Sequence, residues 1–130
     1  MNRIAEFKKV SREQFEEAVN ANPLFSGMAD AYDSIKLPVR ATVGSAGYDF
    51  YSPFDITLKV GETALIPTGI RARIDNGWVL AVFPRSGLGF KFRIQLDNTV
   101  GIIDSDYYGS SNEGHIMIKI TNDGRQGKEA

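Results

Sequence analysis

The stretch His115-Ile116-Met117-Ile118-Lys119-Ile120-Thr121, running straight into Asn122-Asp123-Gly124, decides the fold class. Isoleucine recurs at every second position, with Met117, Lys119 and Thr121 between. A period of two marks a strand with one buried face, and Asn-Asp-Gly is turn chemistry. Working outward, the chain from Leu37 onward repeats this texture, with short apolar runs cut by Gly, Pro, Asn and Asp roughly every 8 to 12 residues, as in sandwiches and barrels. Candidate strands are Tyr48–Tyr51, Asp55–Val60, Glu62–Pro67, Gly69–Ile74, Trp78–Pro84, Ile94–Asp97, Val100–Ile103 and His115–Thr121. Val60-Gly61-Glu62 and Asp75-Asn76-Gly77 supply further turns. The expectation is an all-β, jelly-roll-like distorted β-barrel. Only Arg125–Ala130 follow the last turn, so a return strand is missing; this favours a sequence that stops short of the natural chain over pairing supplied by another subunit.

Residues 1–36 differ, with charges at helical spacing and Pro23 and Gly27 as their only Pro and Gly. They are expected to be largely helical. Ser11 with Gln14 three residues later reads as a capping box, and Val10 with Phe15 as a hydrophobic staple, which starts a helix near Arg12. Its apolar stripe is Phe15, Ala18 and Val19; Asn20–Pro23 ends it, and Met28–Ser34 forms another short helical turn before Pro38. Residues 1–36 are thus expected to be a helical extension shielding an edge of a β domain at 37–130.

Fifteen Lys and Arg against 16 Asp and Glu leave 130 residues with a formal charge of −1, so no polybasic nucleic-acid footprint exists. A hydrophobic fraction of 42% is enough for a real core. The absence of Cys excludes disulfides, thiolate nucleophiles and Cys-type zinc, and a single His, His115, excludes His-cluster metal sites, so any metal is held by oxygens. No apolar run approaches the ~20 residues of a membrane helix, and Met1-Asn2-Arg3-Ile4-Ala5-Glu6 lacks the apolar core of a signal peptide. The expectation is an intracellular, cytoplasmic protein that binds neither membrane nor nucleic acid.

Three segments carry polar chemistry that a plain core does not need. Gly44-Ser45-Ala46-Gly47-Tyr48-Asp49 is a turn entering a strand with an early carboxylate, or simply a turn with a capping Asp. Pro84-Arg85-Ser86-Gly87-Leu88 follows a buried-looking strand, Trp78–Phe83; a guanidinium, a hydroxyl and free amides at a strand end can grip a phosphate chain without a Walker-type helix, or form an ordinary surface turn. In Asn98-Thr99-Val100-Gly101-Ile102-Ile103-Asp104-Ser105-Asp106-Tyr107, Asp104 and Asp106 fall on the same side of an extended segment. Paired acids suit water activation or a divalent ion, whereas two solvated loop acids are the plainer account.

In this order and spacing, the three segments resemble the trimeric deoxyuridine triphosphatase (dUTPase) family. Ala46–Asp49 looks like its first motif, Pro84–Leu88 its second, and Asn98 with Gly101–Tyr107 its third, over roughly Leu37–Asn122. Tyr108 stands where the family often has Arg, Gln or Thr, and Ser110–Gly114 lengthens the next turn. The family's fourth motif, a Gly-x-Arg-hydrophobic-Ala-Gln strand, is expected just beyond Ala130, and its fifth, a Gly-rich arm with a Phe, is absent; Gly124-Arg125-Gln126-Gly127 is read as a turn.

The resemblance implies hydrolysis of dUTP to dUMP and pyrophosphate, limiting uracil incorporation into DNA, with Mg2+ on the triphosphate. It assigns Asp104 to the attacking water, and Arg85, Ser86 and Gly87 to the phosphates. Asn98 reads the base, Gly101 allows close approach of the backbone in a tight hairpin, and Tyr107 packs under the deoxyribose. Asp49 contacts the metal through water or pairs with Arg85. The family also implies a homotrimer in which Arg85 and Ser86 face Asn98, Asp104 and Tyr107 of a neighbour. Alternatives are a dCTP deaminase-like enzyme and a non-catalytic nucleotide-binding regulatory module.

Overall fold

The structure, a computed structural model, describes residues 3–130. Its architecture is all-β and jelly-roll-like. Chain order is β1 (Ala5–Lys9), α1 (Arg12–Asn20), a 3-10 helix (Ala29–Ser34), β2 (Thr63–Pro67), β3 (Ile70–Ile74), β4 (Leu80–Val82), α2 (Ser86–Phe92), β5 (Ile94–Leu96), β6 (Gly101–Ile103), a second 3-10 helix (Ser105–Gly109) and β7 (Met117–Asn122). All pairings are antiparallel, in sheets ordered β1-β3, β2-β7-β5 and β4-β6.

The isoleucine alternation behaves as expected of a strand. Ile118 lies opposite Ile66, and Ile120 opposite Ala64 and Leu96, so one face of the central sheet contributes to a core with Leu58 and Ile94. The other face is polar: Thr63 and Thr121 share a hydroxyl hydrogen bond of 2.6 Å, and Lys119 Nζ lies 3.7 Å from Asp97. Beyond β7, Gly127 N donates to Gly124 O (3.0 Å), confirming the turn, and Leu58 and Ala130 then exchange both backbone hydrogen bonds (2.7 and 2.9 Å). A pair of chain segments therefore does form after the turn.

Several expected strands are shorter or missing. Tyr48–Tyr51 contributes only the Val39–Asp49 bridge, and Asp55–Val60 has only the Leu58–Ala130 pairing; extended segments without a partner do not become strands. Trp78–Pro84 shrinks to β4, with Trp78 54% and Phe83 65% exposed, so that segment is not buried in this chain.

The first 36 residues are not largely helical. Ala5–Lys9 is a strand paired along its length with β3, from Ala5 opposite Ile74 to Lys9 opposite Ile70. The helix begins at Arg12, with Ser11 Oγ accepting from Gln14 N at 3.1 Å. Val10 and Phe15, the two staple residues, are 1% and 0% exposed. They sit with Val19, Phe25, Ile35, Phe54 and Ile70 in one cluster, so the helix builds core. Only half of the capping box forms. The Ser11 amide bonds the Glu113 carboxylate (2.7 Å), while Gln14 turns its amide oxygen to His115 Nδ1 (2.6 Å).

His115 is completely buried, and its Nε2 accepts from Gly69 N at 2.9 Å. Since a backbone N–H can only donate, Nε2 carries no proton, and the Nδ1 proton goes to Gln14. The imidazole is therefore neutral. Gly69 turns β2 into β3 at a φ of 76°, where a Cβ would run into Ile35 Cδ1, so only glycine serves. Burial pushes the His115 pKa down to about 4 from 6.5, against the opposing pull of Glu113. The hydrogen bonds from the Ser11 hydroxyl, and then from its amide, hold the Glu113 carboxyl below its ordinary value.

Truncating Phe15 to Ala should cost about 3–5 kcal/mol, read as a shift of the urea midpoint at constant m value. Between pH 4 and 6.5 the unfolded chain binds a proton at His115 that the folded chain refuses. That contribution is whole above pH 6.5 and is lost as the pH falls toward 4, about 3 kcal/mol in all. The Glu113 contribution is lost only below its ordinary value of 4.5. Urea unfolding from pH 7 to 4 should show this decline, and His115→Phe should start less stable and flatten it.

Candidate active site

The segment joining β5 to β6 changes sheets: β5 pairs with β7, and β6 with β4. The expected hairpin is thus a splayed turn whose two strands do not pair with each other. Thr99 takes a φ of 69°, its amide donates to Leu96 O (3.0 Å), and Val100 N donates to Asn98 O (2.7 Å). Splaying opens a cavity of about 370 Å³ between the sheets, lined by Val82, Leu96, Asn98, Gly101, Ile103 and Ile118 among others. That is the size range of a small-ligand pocket, with an apolar wall and polar groups at the turn. Gly101 lines it, but a Cβ there would meet Val82 Cβ at 3.2 Å. Its missing side chain therefore first serves the close packing of β6 on β4.

An adjoining depression of about 440 Å³ shares Ile102, Ile103, Ile116 and Met117 with the first and adds Asp104, Asp106, Tyr107 and Ser110. The two carboxylates face one depression, as expected, although the segment is not extended. Asp104 is the N-cap position of the Ser105–Gly109 turn, without a side-chain capping bond. Among the described residues its carboxylate has no hydrogen-bond or ion-pair partner. Tyr107 packs against Ile116 and its cluster, donates its hydroxyl to His115 O (2.6 Å) and accepts from Asn112 Nδ2 (3.0 Å).

The other motif residues lie apart from these cavities, whose linings include neither Asp49 nor Arg85, Ser86 or Gly87. Arg85 Nη1 lies 3.5 Å from Asp49 Oδ2, an ion pair with an exposed guanidinium. Asp49 thus pairs with Arg85 and is not a turn cap. The Arg-Ser-Gly segment is not a loop: Ser86 opens α2, with Arg85 as N-cap and the Leu88 and Gly89 amides on Arg85 O (3.0 and 3.2 Å). First-turn amides such as those of Ser86 and Gly87 have no helical acceptor. Sequence reasoning missed the structural use of His115, noted only as a lone His, and the β7 contribution to the cavity wall. The one available signal was a polar ring beside the apolar alternation.

Among the described residues no three His, Asp or Glu side chains converge as a metal cage, and no helix is long and apolar enough to cross a membrane. Asp49, a single carboxylate already beside a guanidinium, fits a divalent ion only through water, on an ion carried mainly by phosphate oxygens.

A jelly-roll-like β protein with a polar-rimmed cavity at a sheet junction is the class that this fold and site define. A profile of the dUTPase family matches residues 33–127. The chain belongs to the dUTPase family. It is 48% identical over 98 residues to the deoxyuridine 5'-triphosphate nucleotidohydrolase of Paraburkholderia phytofirmans, across 73% of this chain and 63% of that protein. It thus spans less than two thirds of that relative's length. The dUTPase of Streptococcus mutans is similar in structure (TM-score 0.61, 41% identity, 67% of this chain and 69% of that one). A mutant dUTPase of phage phi11 of S. aureus, described with a coordinated structural Mg(II) ion, shares the fold (TM-score 0.66, 22% identity, 95% of this chain and 63% of that one).

Proposed function

We propose that the protein hydrolyses dUTP to dUMP and pyrophosphate, and so limits uracil incorporation into DNA. The observation that carries this reading is the pairing, in a dUTPase-family chain, of a splayed-turn cavity bearing Asn98 with an adjoining depression where Asp104 is uncommitted. The base enters the first. Asn98, able to donate and accept, reads its polar edge, and the close backbone at Gly101 leaves no room for a larger base. Tyr107 lies under the deoxyribose, where a 2'-hydroxyl finds neither space nor partner.

Asp104 orients a water and takes its proton as the oxygen bonds the α-phosphorus. The bond from that phosphorus to the bridging oxygen breaks, and pyrophosphate leaves. Phosphoryl transfer depends mostly on positioning and charge, to which a placed base adds ~10²–10⁴-fold. Arg85, Ser86 and the Gly87 amide hold the phosphates. Mg2+ on the triphosphate, reached by Asp49 through water, supplies charge neutralisation when bound. The reaction belongs where deoxynucleotides are made, which puts the protein in the cytoplasm.

The separation of Arg85 and Ser86 from the cavities supports a homotrimer, with each site completed by a neighbour's phosphate grip. Full-length protein should release pyrophosphate from dUTP and hardly at all from dCTP, dTTP or UTP; equal rates on all four, or ammonia from dCTP, would refute the reading. Asp104→Asn should lower kcat ~10²–10⁴-fold with little change in KM. Ser86→Ala and Asp104→Asn chains, each impaired alone, should regain activity when co-expressed, because mixed trimers contain some intact sites. Activity no better than the average of the two variants places both residues in one subunit's site.

A further inference from the structure

Helix α1 precedes the 33–127 span that matches the family, and the reading above does not use the lengthened turn Ser110–Gly114. We propose that the N-terminal turn of α1 is a positioning element for the sugar subsite, acting through Glu113 and His115 on Tyr107. Its functional consequence rests on the dUTP reading.

The connection runs entirely through short polar contacts. Both partners of the Tyr107 hydroxyl, His115 O at 2.6 Å and Asn112 Nδ2 at 3.0 Å, belong to this turn and its exit. Glu113 lies between them with a φ of 62°, a conformation that a non-glycine residue keeps only when its surroundings hold it. What holds it is α1: the Glu113 carboxylate takes the Ser11 amide at 2.7 Å and the Ser11 hydroxyl at 2.6 Å. Gln14 of the same helical turn takes the His115 ring at 2.6 Å. The two residues that flank Gly114 are thus gripped by one turn of α1. Releasing Glu113 frees the turn to leave its left-handed backbone, carrying the Asn112 and His115 groups away from the Tyr107 hydroxyl. A ring that excludes a 2'-hydroxyl by contact tolerates little displacement, since errors of about 1 Å suffice to spoil positioned groups.

The test uses full-length Glu113→Ala and Gln14→Leu, with Glu113→Gln as the conservative variant that keeps one accepting oxygen. The dUTP-over-UTP ratio of kcat/KM should fall about tenfold or more in Glu113→Ala and recover in part in Glu113→Gln. The dUTP-over-dCTP ratio, set by the base cavity, should stay within about twofold; a general loss of fold would lower both ratios together. Without any substrate, the Tyr107 and Ser110 amides of Glu113→Ala should exchange hydrogen about tenfold faster, with β7 amides unchanged. An unchanged sugar preference in a Glu113→Ala protein that still cleaves dUTP overturns the proposal, as does unchanged exchange. Faster exchange alongside a native protein that leaves dUTP intact removes the dUTP reading and keeps the coupling between helix and turn.

Discussion

A buried neutral imidazole organises this molecule. His115 bridges a backbone donor at the β2–β3 turn and a side-chain acceptor on α1, and can do so in only one tautomer. Each bond is worth only ~1 kcal/mol net, whereas burying Phe15, Val10 and Val19 contributes ~1.5–3 kcal/mol apiece, so the apolar cluster supplies most of the attachment energy. The polar bridge decides where that cluster forms. An apolar face slides easily over another; a ring with two satisfied nitrogens, beside a carboxylate holding the Ser11 amide and hydroxyl, has one register. The same contacts place the backbone of residues 112–115, on which Tyr107 rests.

The cavity arises from an equally simple constraint. Had β5 and β6 paired with each other, their side chains and hydrogen bonds would have closed the space between them. Each finds its partner in a different sheet, through Leu96 opposite Ile120 and Val82 opposite Gly101. The four-residue turn that spans the gap takes the strain, visible in the left-handed Thr99. The three-residue β5 is held by β7, which pairs with β2 on its other side, whereas the equally short β4 and β6 pair only with each other.

What could be read in the sequence was what short-range chemistry specifies. Ser11, Val10 and Phe15 announce the helix start because capping and stapling are local, and the isoleucine alternation of β7 survives because both its neighbours bury the same face. Strand β1 was hidden: Ala5-Glu6-Phe7-Lys8-Lys9 is an edge strand with one partner, its charges face solvent, and nothing local distinguishes it from a helical run. Helix α2 was hidden for the opposite reason. Two glycines in Ser86-Gly87-Leu88-Gly89 argue against a helix by about 1 kcal/mol each, and the helix then ends on a left-handed Arg93 where glycine is usual. The site motifs were legible as residues, but not as places. That Asp49 pairs with Arg85, that Glu113 displaces Gln14 from the capping box, and that the turn at residues 97–100 divides two sheets are all consequences of contacts between residues far apart in the chain.

The carboxylates near the cavities show how a fold leaves a group available for chemistry. Asp97, at the rim of the first cavity, lies beside Lys119 and accepts from the Thr121 hydroxyl; Glu113 is engaged by Ser11; Asp123 accepts from the Arg125 amide and pairs with Arg93, which together hold it below its ordinary pKa. These acids are committed to structure, and removing one would leave a donor unpaired. The two acids of the depression, Asp104 and Asp106, have no side-chain hydrogen bond or ion pair among the described residues, and Asp104 stands at an N-cap position where a carboxylate commonly accepts a backbone amide, yet it makes no such bond. Its backbone carbonyl, not its side chain, meets the Tyr107 amide at 3.2 Å, so an Asn in its place keeps every contact the fold uses. An acid that the fold does not spend, at the edge of a depression next to a ligand-sized cavity, can be lost without structural consequence. A loss of turnover in Asp104→Asn without a loss of stability would therefore distinguish a reacting group from a supporting one.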